Sequence, residues 1–146
     1  MRILFVNGPN LNLLGEREPS IYGRATLQQI NDRVRDKARE AGADVVFFQS
    51  NHEGEIVERI QKARGQFDAL VINPAAFTHT SVAIRDALLA AGILAIEVHL
   101  SNPARREAFR QKSLISDVVN GTISGFGEVS YYLALQAAME LGGKKE

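Results

Sequence analysis

An acid and an imidazole stand two residues apart in the apolar run LAIEVHL, as Glu97 and His99. Residues two apart on a strand point to the same face, so these side chains should be neighbours. A carboxylate inside a central strand is costly unless it is paired. Glu97 could simply bond to nearby backbone, but the pattern favours a role in which it orients His99 and sets its tautomer. Such a pair can move a proton to or from a substrate.

A second candidate for chemistry lies in the stretch NGPNLNLLGEREPSIYG, from Asn7 to Gly23. Its prolines, glycines and asparagines predict neither helix nor strand. Irregular segments of this length are uncommon in compact domains and are usually functional or disordered, and the apolar anchors in this one argue against disorder. It carries Arg17 and Tyr22. Both side chains are able to do chemistry.

Polar side chains also cluster after the apolar runs. They are amides, hydroxyls, imidazoles and guanidinium groups: Asn10, Asn12, Gln49, Ser50, Asn51, Asn73, Thr78, His79, Ser101, Asn102, Arg106 and Arg110. Glu97, His79 and His99 could form a metal site of two histidines and one carboxylate. The surrounding amides and arginines suit an organic anion better than a cation, so no metal is predicted. His52 is interpreted as a helix-start or surface residue.

The elements that must position these residues alternate along the chain. Short apolar runs predict strands covered on both faces, at Ile3–Val6, Val45–Phe48, Ala69–Ile72, Leu94–Leu100 and Val118–Ile123. Helical periods follow them, at Leu27–Ala41, Glu53–Arg64, Ser81–Ala91, Ala104–Lys112 and Val129–Leu141. Five β-α units in alternation imply a three-layer α/β fold with a five-stranded parallel sheet. Ligands bind such folds outside the carboxyl ends of the strands, where the polar residues fall.

Several residues should mark the ends of these helices. Gly42 and Gly92 are predicted C-terminal caps, and Thr26 and Thr80 are predicted N-terminal caps. The tail Gly142–Glu146 is expected to be frayed.

Composition limits the function classes. The 146 residues predict one catalytic domain, 1–146, and 45% hydrophobic content indicates a globular chain. Basic and acidic residues both total 17, so no net charge favours nucleic acid or an anionic membrane, and near-neutrality hints at self-association. There is no cysteine. With no apolar run long enough for a membrane span and no signal peptide expected before a strand at residue 2, the predicted location is cytoplasmic.

Nucleotide binding is the other common function of this fold. No GxGxxG follows the first predicted strand, and no GxxxxGK[ST] occurs anywhere. Gly121, Gly125 and Gly127 form a weak cluster near the last strand, which is interpreted as turns into the final helix.

Four segments together resemble type II 3-dehydroquinate dehydratase: NGPNLNLLGEREPSIYG, QSNHEGEIVERI, INPAAFTHTSVAIRDAL and IEVHLSNPARREAFRQKS. They occur in the family's order and extend the similarity over nearly the whole chain. The resemblance implies a flavodoxin-like fold and the reversible dehydration of 3-dehydroquinate to 3-dehydroshikimate in the shikimate pathway. It also implies a homododecamer, a tetramer of trimers, and no cofactor.

The resemblance also assigns roles to individual residues. Tyr22 matches the catalytic base, Arg17 the arginine of a mobile lid, and Asn10 an asparagine that helps to hold a water near an enolate. His99 matches the general acid, and Glu97 its supporting carboxylate.

Further positions match residues that contact the substrate in this family: Asn73, His79, Leu100, Ser101, Arg106 and Arg110. Arg106 sits in the lid region, and Leu100 contributes through its backbone. Asp86 matches an acid that reaches the neighbouring subunit's site within the trimer.

The chain departs from the family pattern in two places. Ala75, Ala76 and Phe77 stand where many members have a glycine and a tyrosine, and Pro103 and Ala104 stand where many have an apolar residue and a histidine. These differences are expected to alter loop flexibility and affinity but not the catalytic positions.

Two further expectations concern mechanism. The lysines fall in predicted helices or the tail, so an imine mechanism is not expected. Arg17 is expected to meet Tyr22 only when substrate closes the loop, leaving Leu14–Ile21 poorly ordered and the two side chains apart without it. The alternative function is a non-catalytic flavodoxin-like module that senses or carries a small acid.

Overall fold

A computed structural model describes residues 1–144 of the chain. Lys145 and Glu146, part of the tail predicted to be frayed, lie outside the described residues.

Five parallel strands form the sheet, in the order β2-β1-β3-β4-β5. Their bounds are β1 Arg2–Asn7, β2 Asp44–Gln49, β3 Ala69–Asn73, β4 Leu94–His99 and β5 Gly121–Ser124. This strand order is the flavodoxin-like one, and the direction of winding reverses between β1 and β3. Asn7 and Asn73 are register partners at the carboxyl ends of those two strands, so the polar residues that follow both strands share one edge of the sheet.

Helices cover both faces of the sheet. The longer ones are α2 Leu27–Glu40, α3 Glu53–Ala63, α4 Val82–Ala91 and α6 Val129–Gly142, and the short ones are α1 Pro19–Tyr22 and α5 Ala108–Gln111. Single 3-10 turns lie at Leu11–Leu13, Ala75–His79 and Pro103–Arg105. The predicted three-layer fold is confirmed.

Strand periodicity explains the two hydrophobic cores. Ile3 and Phe5 of β1 pack with α2 and α6 in one cluster, whereas Leu4 and Val6 pack with α3 and α4 in the other. Alternate residues of a strand point to opposite faces, so a nearly continuous apolar strand is buried on both sides.

Most predicted helix ends are observed. Thr26 caps α2 through a capping box with Gln29, and Gly92 ends α4 in the left-handed region. Thr80 is not a cap. Ser81 takes that role, because its hydroxyl accepts a hydrogen bond from Ile84 N at 2.9 Å.

Strand β5 and the preceding segment differ from the prediction. The apolar run that starts at Val118 does not pair with β4 until Gly121. The backbone N–H groups of Val118 and Val119 instead donate to the carbonyl of the fully buried Ile115 in a turn. Apolar side chains here bury themselves without joining the sheet, which periodicity alone does not distinguish.

The continuous helix predicted over Ala104–Lys112 is wrong. Pro103 begins a 3-10 turn, Arg106 has extended backbone angles of φ −94° and ψ −178°, and α5 starts only after it. Arg106 and Arg110 therefore do not share one helical face.

The stretch Asn7–Gly23 is also more regular than predicted. Asn7 ends β1, and the loop contains one 3-10 turn and the short helix α1. Tyr22 is the last residue of α1, and Glu18 enters that helix with a strained φ of 40°.

Candidate active site

An open pocket with an empty volume of about 870 Å³ lies at the carboxyl ends of β1, β3 and β4. All site residues predicted from the sequence line it except Glu97 and Asp86: Asn10, Arg17, Tyr22, Asn73, His79, His99, Leu100, Ser101, Arg106 and Arg110. Residues from distant segments thus meet at the edge where this fold binds ligands.

Glu97 and His99 form a buried pair on β4. Glu97 is 1% exposed and His99 8% exposed, and Glu97 Oε2 lies 2.5 Å from His99 Nε2. Nδ1 is consequently the ring nitrogen left for a substrate. The predicted pairing of the two side chains is confirmed, and a strand provides it because neighbours on one face are two residues apart.

The surroundings of Glu97 favour its ionised form. Burial raises the pKa of Glu97, but the hydrogen bond and charge of His99, with hydrogen bonds from Ser116 and Ser113, lower it further than burial raises it. The net pKa lies below the ordinary value of a glutamate. An ionised Glu97 stabilises a protonated His99, the form needed to give a proton away.

Two arginines flank Tyr22. The Nη2 of Arg106 donates to the Tyr22 hydroxyl at 3.0 Å, and its Nη1 donates to Ser101 Oγ at 3.3 Å. The guanidinium carbons of Arg106 and Arg17 lie 5.3 and 5.7 Å from the centre of the Tyr22 ring. A cation at the hydroxyl stabilises phenolate, so the geometry suits a base.

Arg17 and Tyr22 are in contact in this structure, with the guanidinium of Arg17 over the Tyr22 ring. The expected change of this contact on substrate binding stays a prediction. The group that reaches the Tyr22 hydroxyl is nevertheless Arg106, not Arg17. Sequence proximity pointed to Arg17, whereas Arg106 reaches Tyr22 across 84 residues of chain.

The first part of the loop after β1 is braced against β2. Asn10 has a left-handed φ of 68°, and its backbone N–H donates to Asn51 Oδ1 at 2.9 Å. Gln49 Nε2 donates to Gly8 O at 3.1 Å and to Asn51 Oδ1 at 3.2 Å. These bonds hold Asn10 at the pocket wall.

A buried polar network lies beneath the pocket floor. Tyr131 donates its hydroxyl hydrogen to Asn7 Oδ1 at 2.5 Å and accepts from Asn73 Nδ2 at 3.0 Å. Asn73 Oδ1 accepts from Ala75 N at 3.1 Å. Burial raises the pKa of Tyr131, so it stays a neutral phenol. The network holds the Asn73 amide in one orientation and leaves its second N–H for a ligand.

Sequence reasoning did not single out Tyr131. It occupies the buried side of α6 among alanines and leucines, where an aromatic residue is indistinguishable from ordinary core. The polar Asn7 and Asn73 at adjacent strand ends were the available signal that a buried donor or acceptor must meet them.

His79 and Arg110 form another wall. His79 Nδ1 lies 2.8 Å from the carbonyl of Lys112, so this nitrogen carries the proton and Nε2 is free to accept. Arg110 Nε donates to Glu107, which leaves its other guanidinium nitrogens for an anion. The pKa of Glu107 is lowered chiefly by this bond.

Asp86 and His52, like Glu97, do not line the pocket. Asp86 is exposed on α4, and His52 precedes α3 as its exposed N-terminal cap residue, as predicted for His52. Within residues 1–144, no group of three histidine or acidic side chains is arranged to hold a metal ion.

Ala75 departs from the family pattern at a strained position. Its φ is 53°, in the left-handed region that glycine adopts without cost and alanine does not. A glycine, which the resemblance implies near this position in many members of the family, would adopt this backbone angle without strain.

Comparison with known proteins identifies the family. The sequence profile described as "Dehydroquinase class II" matches residues 1–139. The chain belongs to the class II dehydroquinase family. The flavodoxin-like fold described above is therefore that of a class II dehydroquinase.

Curated relatives agree with this family along nearly their whole length. The 3-dehydroquinate dehydratase of Pseudomonas syringae pv. tomato is 57% identical over 139 residues, which cover 94% of this chain and 93% of the relative. That of Campylobacter hominis is 52% identical over 141 residues, covering 97% and 91%.

Solved structures give the same result. The type II dehydroquinase of Butyrivibrio crossotus superposes with a TM-score of 0.92 at 44% identity, covering 94% of this chain and 97% of that one. The type II dehydroquinase of Propionibacterium acnes superposes with a TM-score of 0.91 at 43% identity, covering 98% and 97%.

Proposed function

We propose that this class II dehydroquinase catalyses the reversible dehydration of 3-dehydroquinate to 3-dehydroshikimate, a step of the shikimate pathway, as a single domain without a cofactor. One observation carries the mechanism: a phenol bound to an arginine and an imidazole bound to a buried carboxylate line the same pocket. An elimination beside a ketone needs a base and a general acid so disposed.

Tyr22, as phenolate, removes the proton next to the ketone, and the electron pair passes into an enolate. A water held by Asn10 stabilises the enolate oxygen. The enolate then collapses in an anti elimination, forming the carbon–carbon double bond as the hydroxyl leaves. His99 gives that hydroxyl its proton from Nδ1, so that water departs, and Glu97 stabilises the protonated imidazole until then.

Other pocket residues bind the substrate. The arginines Arg17, Arg106 and Arg110 give the pocket positive charge for a carboxylate, which we assign to the backbone near Leu100 and Ser101. The substrate hydroxyls bind Asn73, His79 and Arg110. Among residues 1–144, no lysine lines the pocket, which supports elimination through an enolate over an imine.

An absorbance assay tests the activity, because dehydration creates a conjugated enone. Addition of 3-dehydroquinate to the purified chain should raise the absorbance of that chromophore. Binding without any absorbance change would favour the alternative, a module that senses or carries a small acid. Treatment with borohydride and substrate should leave the enzyme active, and covalent inactivation would contradict the enolate route.

We also propose that the chain assembles as a homododecamer, a tetramer of trimers, in the cytoplasm. Asp86 lies between Val82 and Leu89 on one face of α4, and those two apolar side chains are 57% and 56% exposed. In a trimer this face would cover its apolar residues and direct Asp86 to a neighbour's site. Light scattering tests the assembly, and cell fractionation tests the location.

A further inference from the structure

Two serines that follow α5 hold the carboxylate of Glu97. Ser113 Oγ donates to Glu97 Oε2 at 2.9 Å, and Ser116 Oγ donates to Glu97 Oε1 at 2.6 Å. His99 occupies the remaining place on Oε2. Both carboxylate oxygens thus accept hydrogen bonds from protein groups, and Glu97 itself is 1% exposed, although Ser113 is only half-buried and Ser116 is exposed.

We propose that Ser113 and Ser116 are positioning residues that keep Glu97 ionised, so that the single proton of the Glu97–His99 pair resides on His99. This inference rests on the proposed function, in which His99 gives that proton to the leaving hydroxyl. Neither serine lines the pocket described above, and both line a second cavity beside it, together with Glu97, His99 and Thr122. The bond that each serine makes to the pair is to Glu97.

The hydroxyl of Ser113 is oriented before any substrate arrives. Its oxygen accepts the backbone N–H groups of Ile115 and Ser116, both at 3.2 Å. A serine hydroxyl has one hydrogen, and with its lone pairs engaged that hydrogen points to Glu97. Ser116 Oγ makes only its bond to Glu97 within residues 1–144, so its removal tests that bond cleanly.

The two serine bonds affect the position of the proton because Glu97 is buried. In a poorly solvated site an ion pair competes with the neutral pair, in which Glu97 holds the proton and His99 is an uncharged, much weaker acid. The serines stabilise Glu97 only as a carboxylate. Each bond to a charged group changes the partition of the proton between the two side chains by about tenfold or more.

The proposal makes a specific prediction for the pH dependence of kcat. Without the serines, part of the protonated pair is inactive, so the plateau of kcat falls. The neutral form also holds the proton, so the pair loses it only at a higher pH. The alkaline limb of the kcat profile therefore moves to higher pH by the same factor. Variant and wild-type rates should therefore converge as the pH rises.

Within residues 1–144, no other ionisable side chain hydrogen-bonds to either serine hydroxyl. His79 and Arg110 border the pair from the turn Ala75–His79 and from α5, and Tyr22 and Arg106 line the same pocket as His99. Strand β5 contributes only the uncharged Thr122 and Ser124. A change in the pH profile that follows removal of a serine is therefore expected to act through Glu97.

The experiment measures kcat and KM from pH 6 to 10 for Ser116→Ala and for the double variant Ser113→Ala/Ser116→Ala. The double variant should lose about tenfold or more of the kcat plateau, with its alkaline limb displaced to higher pH by the same factor and KM nearly unchanged. Ser116→Thr, which keeps the hydroxyl, should restore the wild-type profile. Thr122→Val, in the same cavity but not bonded to Glu97, is the matched control. A ratio of variant to wild-type kcat that is constant over pH would overturn the proposal and indicate a merely structural role.

A second measurement does not depend on turnover, and it uses the single variant in case the double variant folds poorly. The low pKa of Glu97 stabilises the wild type above the ordinary glutamate range, and that stability is lost as pH falls through the folded-state value. Ser116→Ala should lose less stability between neutral and acid pH, measured by urea unfolding. Identical pH dependence in both proteins would refute the serine proposal. A wild type without any turnover would instead refute the proposed function alone.

Discussion

The proposed acid and the proposed base of the pocket are held in place in different ways. Glu97 and His99 lie on one central strand, two residues apart and buried, with their mutual distance set by strand geometry. Tyr22 ends a four-residue helix in a loop, and its hydroxyl is held by Arg106 from a segment 84 residues away. The acid is part of the sheet, whereas the base is assembled from loops.

The difference shows which structural features hold each of these side chains in place. A strand covered on both faces has few alternative conformations, so its acid is in place before substrate arrives. Loops have fewer buried contacts and open at lower free energy, so the position of the base depends on side-chain contacts. We therefore expect changes on β4 to affect charge and stability, and changes in the loops to affect chiefly turnover.

The largest effect is expected from Tyr22→Phe. Removing the base should lower kcat by about 10²–10⁴-fold, since that is the usual contribution of a positioned acid or base. Calorimetry should show substrate affinity within a few-fold of wild type. Tyr132→Phe is the control, because Tyr132 bonds to Glu128 away from the pocket. Turnover near the wild-type rate in Tyr22→Phe would show that Tyr22 is not the base.

Glu97→Gln tests the strand half. It keeps the shape but removes the charge, so kcat should fall by about 10–100-fold, the usual effect of losing a supporting partner. Stability should fall at neutral pH, where the ionised carboxylate contributes, and converge on wild type as pH drops through the lowered pKa of Glu97. Urea unfolding from pH 7 to pH 3 measures this. A constant stability difference would show that Glu97 is not ionised in the folded protein.

The two arginines beside Tyr22 should differ. Arg106→Ala removes the bond to the hydroxyl and should lower kcat by about tenfold or more, since a charged hydrogen bond contributes about 1.5–3 kcal/mol. Arg17→Ala removes only the contact with the ring face and should cost less at this step. Single-turnover kinetics separate this step from product release. A larger loss in Arg17→Ala would mean that the arginines exchange places when substrate binds.

Tyr131→Phe tests the buried hydrogen-bond network beneath the pocket. Deleting the hydroxyl leaves Asn7 Oδ1 and one Asn73 N–H without partners, which should cost about 1–3 kcal/mol of unfolding free energy. KM should rise more than kcat falls, because Asn73 is assigned to binding. Unchanged stability and KM would show that the network positions nothing.

The smallest effect is expected at Ala75. Glycine relieves the cost of the left-handed φ, about 1–2 kcal/mol for alanine, but its more flexible unfolded chain offsets about 0.4–1 kcal/mol. Ala75→Gly should therefore stabilise the protein by about 0.5–1 kcal/mol in thermal or urea unfolding. Ala76→Gly is the control at a neighbouring position without positive φ and should be neutral or destabilising. Destabilisation by Ala75→Gly would contradict the strain at this turn.

The sequence predicted the strand half well. Apolar periodicity located all five strands and the longer helices, because burial on both faces leaves a strong pattern. The Glu97–His99 contact followed from strand geometry alone. Predictions failed over residues 118–120 and Ala104–Lys112, where apolar or helical periods end in turns whose form depends on what they pack against.

Sequence by itself determined the family, the layers and which chemical groups occupy the strand ends, because these depend on local pattern and on residue type. Only the tertiary structure decided which groups meet. It placed Arg106 on the Tyr22 hydroxyl, Tyr131 between Asn7 and Asn73, and the serines on Glu97. Contacts between residues distant in sequence require the packed sheet to bring them within hydrogen-bonding distance, and no local pattern encodes that distance.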